Sequence, residues 1–223
     1  MPDYYAHNLF GKNLKKCYDI APPRVAQYLQ AEITYVIEQV AGSNRVLELG
    51  CGYGRVLTQV SPHVNELIGI DTSVKTLQFA KEYLKVSNYV CIAMDASQLG
   101  IASHTFDAVF CIQNGISAFK VDSKQLVQEA IRVTRKGGVI LFSTYSPQFW
   151  KHRLHWFRLQ SEAGLIGEID ESKTKDGKIV CKDGFRATYI TADQFTKLFD
   201  TYNTRVSITE VDESSVFCVV KVV

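Results

Sequence analysis

The chain has 223 residues, 46% of them hydrophobic, and a formal net charge of +2. That is enough apolar material for a full core, which excludes wholesale disorder, and too little charge to argue by itself for a nucleic-acid or membrane-surface partner. No apolar run is long enough to span a bilayer, the polar start MPDYYAHN lacks a signal-peptide core, and the six scattered cysteines include no CxxC pair. Reduced thiols and a cytoplasmic location are therefore expected, with neither a disulfide framework nor a metal site.

The first predicted element is a helix over residues 24–40, preceded by Pro22-Pro23 and followed by Gly42. It is expected to pack over the sheet or a ligand mouth, making residues 1–41 a helical lid on a single domain spanning 1–223. From residue 45 strands and helices alternate. Apolar runs at 45–49, 66–70, 89–93, 106–112 and 138–144 read as five strands, and their near-continuous hydrophobicity predicts a sheet buried on both faces, hence parallel. Helical patterns fall between them at 55–60, at 74–85 with Ser73 as N-cap, and at 123–134 before the stop Lys136-Gly137-Gly138. This is the signature of an α/β open sheet with right-handed crossovers.

The rhythm breaks over residues 146–190, an expected insertion on the substrate side. It opens with an aromatic, basic, helix-like stretch at 148–160 and continues through two hairpin signals, Asp176-Gly177 and Asp183-Gly184. A short helix at 191–199 with Thr191 as cap follows. Residues 205–211 and 216–222 then read as an antiparallel hairpin around 212–215.

Residues 46–55, VLELGCGYGR, run a strand into three alternating glycines, Gly50, Gly52 and Gly54, and then a helical pattern. Glycine admits positive φ and lets a ligand approach without meeting a Cβ, and a helix start offers free N–H groups. The spacing is ExGxGxG, beginning at Glu48. A dinucleotide loop wants GxGxxG, and here Arg55 stands where its third glycine belongs. Asp71, at the end of the second strand, is placed to accept ribose hydroxyls, and Asp95 adds a carboxylate past the third strand on the same sheet edge. Each has a plainer alternative: Asp71 as a helix cap, Asp95 as a loop starter. Cys51 and Cys111 read more readily as small apolar fillers than as nucleophiles. His152, His155 and the cations of 151–158 read as a solvated helix face, although interleaved Trp150, Trp156 and Phe157 single that stretch out.

With these residues in view the chain resembles the class I S-adenosylmethionine-dependent methyltransferases, closely over residues 42–145. IGIDTS at 68–73 is similar to that family's ribose-binding strand end, AMDASQLG at 93–100 to its adenine-binding segment, and FDAVFCIQNGIS at 106–117 with VTRKGGVILFST at 133–144 to its fourth and fifth strands. The resemblance implies a Rossmann-like, seven-stranded, mostly parallel sheet with an antiparallel C-terminal hairpin and an insertion after the fifth strand. It implies S-adenosylmethionine as cofactor, leaving as S-adenosylhomocysteine. Carried onto this sequence, the glycines and Cys51 approach the cofactor, Glu48 orients its amino group, Asp71 and Thr72 hold the ribose, and Asp95 and Ala96 meet the adenine. Cys111, Ile112 and Gln113 lie near the sulfur. Tyr18 and Arg24 are looser candidates from the lid.

No general base stands out, as expected where the methyl group is already activated and the protein's main task is orientation. Candidate acceptor contacts are Tyr5, His7, Asn114, Tyr145, Trp150, His152, Arg153, His155 and Arg186. The run Gln113-Asn114-Gly115-Ile116 departs from the Asn/Asp-Pro-Pro-aromatic motif of base-modifying relatives, and no Pro-Cys nucleophile is present. The resemblance therefore implies a small-molecule acceptor, with nucleic acid and membrane disfavoured as partners. An RNA or protein methyltransferase and a nicotinamide-dependent oxidoreductase stand as alternatives.

Overall fold

The computed structural model describes residue 4, residues 9–83 and residues 89–223. Tyr5, His7 and the end of the helix expected at 74–85 lie outside these. Nine strands and eight α-helices are distinguished among the described residues. The strands are β1 (Arg45–Leu49), β2 (Glu66–Asp71), β3 (Tyr89–Ala93), β4 (Phe106–Cys111), β5 (Thr134–Tyr145), β6 (Ile179–Val180), β7 (Arg186–Ala187), β8 (Thr204–Val211) and β9 (Ser215–Val222). The helices are α1 (Lys12–Asp19), α2 (Pro23–Val40), α3 (Leu57–Val60), α4 (Val74–Tyr83), α5 (Gly115–Ala118), α6 (Ser123–Val133), α7 (Trp150–Glu162) and α8 (Ala192–Phe199).

Seven strands form one sheet in the order β3-β2-β1-β4-β5-β9-β8. β1 to β5 pair in parallel, and β9 runs antiparallel to both β5 and β8. The order reverses between β1 and β4, so a crevice opens at their carboxyl ends, where open α/β sheets take their ligands. The apolar strands are covered on both faces. Leu126, Val127 and Ala130 of α6 and Phe195 and Phe199 of α8 bury one face; Ile33, Val36 and Val40 of α2 with Leu57 and Val60 of α3 bury the other.

Local chemistry sets the element ends. Pro23 opens α2, where its missing N–H and fixed φ cost nothing. Ser73 Oγ accepts from Thr76 N at 3.3 Å and serves as the cap expected for α4. Thr191 and Gln194 form a reciprocal capping box on α8. Asp212 and Glu213, both at positive φ, turn the terminal hairpin.

Three expectations are corrected. The helix expected at 55–60 is confined to Leu57–Val60, followed by a 3-10 turn over Ser61–His63 that contains Pro62, so Arg55 stays in the loop. β5 begins at Thr134, inside the expected helix, and its register with β4 jumps between Phe106 and Ala108 to accommodate Arg135-Lys136-Gly137-Gly138. A separate helix, α1, precedes α2; its polar sequence KNLKKCYD buries only Cys17 and gives little apolar signal.

The segment between β5 and α8 does not join the large sheet. Asp176-Gly177 turns an isolated bridge between Lys175 and Lys178, and Asp183-Gly184 lies in the loop between β6 and β7, which pair as a two-stranded ladder. Ile179, Cys181 and Phe185 from this segment share a cluster with Cys17 of α1, Tyr28 and Leu29 of α2, and Trp156 and Phe157 of α7. The N-terminal helices and the segment after β5 thus pack as one apolar layer above the carboxyl edge of the sheet.

Candidate active site

The glycine loop is built by backbone geometry. Gly50, Gly52 and Gly54 all have positive φ, at 78°, 53° and 84°. The N–H groups of Gly50 and Cys51 both donate to Ile70 O at 2.8 Å, which turns the loop back over β2. A Cβ on Gly50 would run into the Phe119 ring, so both the φ and the space demand glycine there. Asp71 braces the loop from below: Oδ2 accepts from Gly52 N at 3.0 Å and Oδ1 from Ser73 N at 2.8 Å.

Above the loop lies a cavity of about 470 Å³, within the usual range of small-ligand sites. Ten of the twelve residues expected at the cofactor line it: Glu48, Gly50, Cys51, Gly52, Asp71, Thr72, Asp95, Ala96, Ile112 and Gln113. Two are placed elsewhere. Gly54 closes the turn, donating to Cys51 O at 2.9 Å. Cys111 is fully buried in the core beneath Gly115, and burial pushes its thiol well above the usual range, which leaves it a packing residue with no nucleophilic character. Asp95 is exposed, and its Oδ1 accepts from Ser97 N and Ser97 Oγ, both at 2.7 Å, which fixes its turn.

Two buried carboxylates shape the electrostatics. Glu48, 4% exposed, is pushed up to about 8 by burial, with the nearby Arg55 cation pulling the other way. Glu32 of α2, 0% exposed, is pushed up to about 7 by burial against the opposing hydrogen bonds of Ser215, Ser143 and Gln113. Its Oε2 receives the Gln113 N–H at 2.7 Å, and the same N–H also reaches Ser143 Oγ at 2.8 Å. Gln113 and Asn114 both sit at positive φ, 57° and 61°, so Glu32 clamps a strained turn at the end of β4. Glu48 Oε2, Gln113 Nε2 and Arg55 Nη2 are buried with no hydrogen-bond partner among the described residues, and all three belong to residues that line the cavity. Orphaned polar atoms around a glycine cradle fit a polar, zwitterionic ligand such as the expected cofactor.

The far half of the cavity is aromatic. Tyr18, Tyr28, Tyr145, Trp156 and Phe157 line it with Leu29 and Gln160. Trp156 Nε1 donates to Cys17 O at 2.8 Å, tying α7 to α1. Of the expected acceptor contacts among the described residues, the structure puts only Tyr145 on the wall, joined by the looser candidate Tyr18. Asn114 is instead a buried brace, donating to Thr188 O at 2.8 Å and accepting from Thr144 Oγ1 at 3.0 Å. Arg153, 1% exposed, stacks on Tyr145 at 4.2 Å and donates to Gly177 O at 2.8 Å, pinning the segment after β5. Trp150 packs against Arg153, while His152 and His155 are exposed. Arg186 is exposed on β7. Arg24 does not reach the cavity: its guanidinium grips Asp212 Oδ2 at 2.6 Å and anchors α2 to the terminal hairpin.

Arg55, Tyr28, Trp156, Phe157, Gln160, Phe119 and the clamp Glu32 were not among the expected site residues. The spacing of Arg153, Trp156, Phe157 and Gln160 (i, i+3, i+4, i+7) marks the buried face of α7, a signal that points away from the imidazoles at 152 and 155.

The chain matches the model of a methyltransferase domain over residues 46–138. A malonyl-[acyl-carrier protein] O-methyltransferase of Hamiltonella defensa is 33% identical over 122 residues, covering 53% of this chain and 46% of that protein; the chain spans about half the length of the curated relatives it matches. Among solved structures, a Pyrococcus horikoshii OT3 protein superposes with a TM-score of 0.66 at 21% identity, covering 92% of this chain and 94% of that one. The N-methyltransferase NodS of Bradyrhizobium japonicum WM9, in complex with S-adenosyl-L-homocysteine, gives 0.59 at 14% identity, covering 96% and 97%. Sheet order, glycine loop and domain match agree: residues 46–138 match a methyltransferase domain, and the chain shares its fold with solved methyltransferases such as NodS.

Proposed function

We propose that the protein transfers a methyl group from S-adenosylmethionine to a small-molecule acceptor by in-line displacement. One observation carries this reading: a single cavity of about 470 Å³ joins the glycine loop, Asp71 and Asp95 to an aromatic chamber roofed by α1, α2 and α7. Bound S-adenosylmethionine supplies a methyl carbon already activated by its positive sulfur. The residues of the chain hold and orient. Gly50 and Gly52 admit the ligand, Asp71 accepts from the ribose, and Asp95 from the adenine. The Glu32 clamp fixes Gln113 where the two halves of the cavity meet.

An aromatic-lined cavity of small-ligand volume supports a small acceptor over a polymer, whose backbone needs a long open groove. Orientation in such a site can supply about 7–11 kcal/mol of barrier reduction, and the aromatic walls exclude water. Residues 1–41 act as the lid and residues 146–190 as the acceptor-selecting wall; the shared cluster of Cys17, Tyr28, Trp156 and Phe157 supports both roles.

Calorimetry tests the reading. S-adenosylmethionine and S-adenosylhomocysteine are expected to bind and NADH not to; a protein that binds NADH and neither sulfur nucleoside would sink it. A mass-spectrometric screen of small amines, phenols and carboxylic acids is expected to yield a methylated product, and methylation of RNA or protein alone would favour the polymer alternative.

A further inference from the structure

Beneath the glycine loop two thiols meet over a residue with no side chain. Cys51 is buried in the loop, and Cys91 is half-buried on β3, an edge strand of the large sheet. Gly69 of β2 is the register partner of Cys91, so the two positions share one face of the sheet. The apolar cluster on that face contains Cys51 and packs against Cys91. A Cβ on Gly69 would lie 2.7 Å from Cys51 Cβ and 2.9 Å from Cys51 Sγ. Gly69 is not at positive φ, so space and not conformation is what a side chain there would violate. The gap lets the Cys51 thiol lie over β2 and hydrogen-bond to Cys91.

The two thiols are unequal. The hydrogen bond from Cys51 holds the Cys91 thiol below its usual range, and Lys81 of α4 pulls the same way against burial and the Asp71 carboxylate. That same bond, with burial, pushes Cys51 well above the usual range. Cys91 is thus the readier nucleophile and Cys51 the resolving partner. Cys17, Cys111, Cys181 and Cys218 are buried, and burial raises all four.

We propose that Cys51 and Cys91 form a peroxide-sensitive disulfide that couples oxidation to the cofactor cradle. The Cys91 thiolate attacks one oxygen of hydrogen peroxide; the O–O bond breaks, hydroxide leaves, and a sulfenic acid remains. Cys51 gives its proton to that hydroxide, forming water, and attacks the Cys91 sulfur. The S–S bond forms as the S–OH bond breaks, releasing a second hydroxide. The two sulfurs together lose two electrons, and the peroxide takes them. A covalent bond holds the sulfurs closer than a thiol contact can, so closing it draws Cys51 toward β3. Cys51 lines the cavity between Gly50 and Gly52, so the cradle moves with it. This coupling rests on the cofactor reading above.

The test treats the reduced chain and Cys91→Ser with hydrogen peroxide, maps disulfide-linked peptides by mass spectrometry, and titrates S-adenosylhomocysteine calorimetrically before and after. The parent is expected to lose two free thiols, to yield a peptide pair joining 51 to 91, and to bind S-adenosylhomocysteine roughly 10-fold more weakly. Dithiothreitol is expected to reverse all three. Cys91→Ser is expected to form no such link and to keep its affinity through the treatment. A different cysteine pairing, sulfinic acid at Cys91 with no link, or a 51–91 link that leaves affinity unchanged overturns the proposal while leaving the cofactor reading standing. A reduced parent that binds no S-adenosylhomocysteine overturns that reading and the coupling with it, and the peptide map still decides whether the disulfide forms.

Discussion

Glu32 Oε2 accepts the backbone N–H of Gln113 at 2.7 Å, joining the middle of α2 to the turn after β4 across 81 residues of sequence. Its other oxygen accepts from Ser215 Oγ at 2.7 Å, so one buried carboxyl also reaches the start of β9. Burial pushes the group up from 4.5 to about 7. Below the unfolded value both states are protonated; between 4.5 and 7 the unfolded chain ionises first, so stability contributed by this group falls as pH rises through that window and levels off above it. The full span is worth on the order of 3 kcal/mol. Glu32→Gln removes the titration. Denaturant midpoints of wild type relative to Glu32→Gln are expected to drop between pH 5 and pH 8, and a difference that stays constant with pH would refute the assignment.

Glu48 follows the same sign with a wider window, because burial raises it to about 8. At neutral pH it enters the binding reaction mostly protonated. Meeting an ammonium group requires the carboxylate, so cofactor binding near pH 7 is expected to release about one proton. Calorimetry of S-adenosylhomocysteine in buffers of different ionisation enthalpy reads that number directly. Glu48→Gln should abolish the release; a release that survives the substitution places the titrating group elsewhere.

Asp71 makes a different prediction. It supports Gly52 N and Ser73 N and also faces the cavity, so the loop and the expected ribose contact share one carboxylate. Asp71→Ala is expected to cost about 1.5–3 kcal/mol of S-adenosylhomocysteine affinity. It should weaken 5′-methylthioadenosine, which carries the same ribose but lacks the amino-acid end, equally. A loss confined to S-adenosylhomocysteine would move the ribose contact to another residue.

The parts of this site that were legible in the sequence are those written locally. The glycine loop, the strand-end positions of Asp71 and Asp95, and the Thr191 cap each depend on residues within a few positions of one another, where conformation follows from composition. The sheet's antiparallel edge was legible for the same reason, as a hairpin between two alternating strands. What the sequence hid was pairing over distance. Glu32 looks like any polar residue of an amphipathic helix until Gln113, Ser143 and Ser215 converge on it. Arg55 looks like the first turn of a helix until Pro62 and the loop geometry shorten that helix from both ends. His152 and His155 looked chemical because of their side chains, yet the burial of Arg153, Trp156, Phe157 and Gln160 turns the other face of α7 inward.

Arg153 tests that last distinction. A basic residue in an acceptor-side helix invites a substrate role, but its Nη1 and Nη2 donate to Gly177 O at 2.8 Å and Thr188 O at 3.2 Å while its plane covers Tyr145. Asn114 donates to the same Thr188 carbonyl, so arginine and asparagine together bolt the segment after β5 onto the end of β4. Arg153→Met keeps the stem's packing and removes the donors, leaving Gly177 O without the arginine and Thr188 O with Asn114 alone. The expected outcome is a loss of about 2–4 kcal/mol in unfolding free energy, with S-adenosylhomocysteine affinity held within about threefold because the contacts lie away from the glycine loop. Denaturant unfolding and calorimetry on the same variant decide the matter: unchanged stability together with lost methyl transfer would return Arg153 to the acceptor site, whereas lost stability with cofactor binding retained fixes it as the bolt that holds the chamber wall.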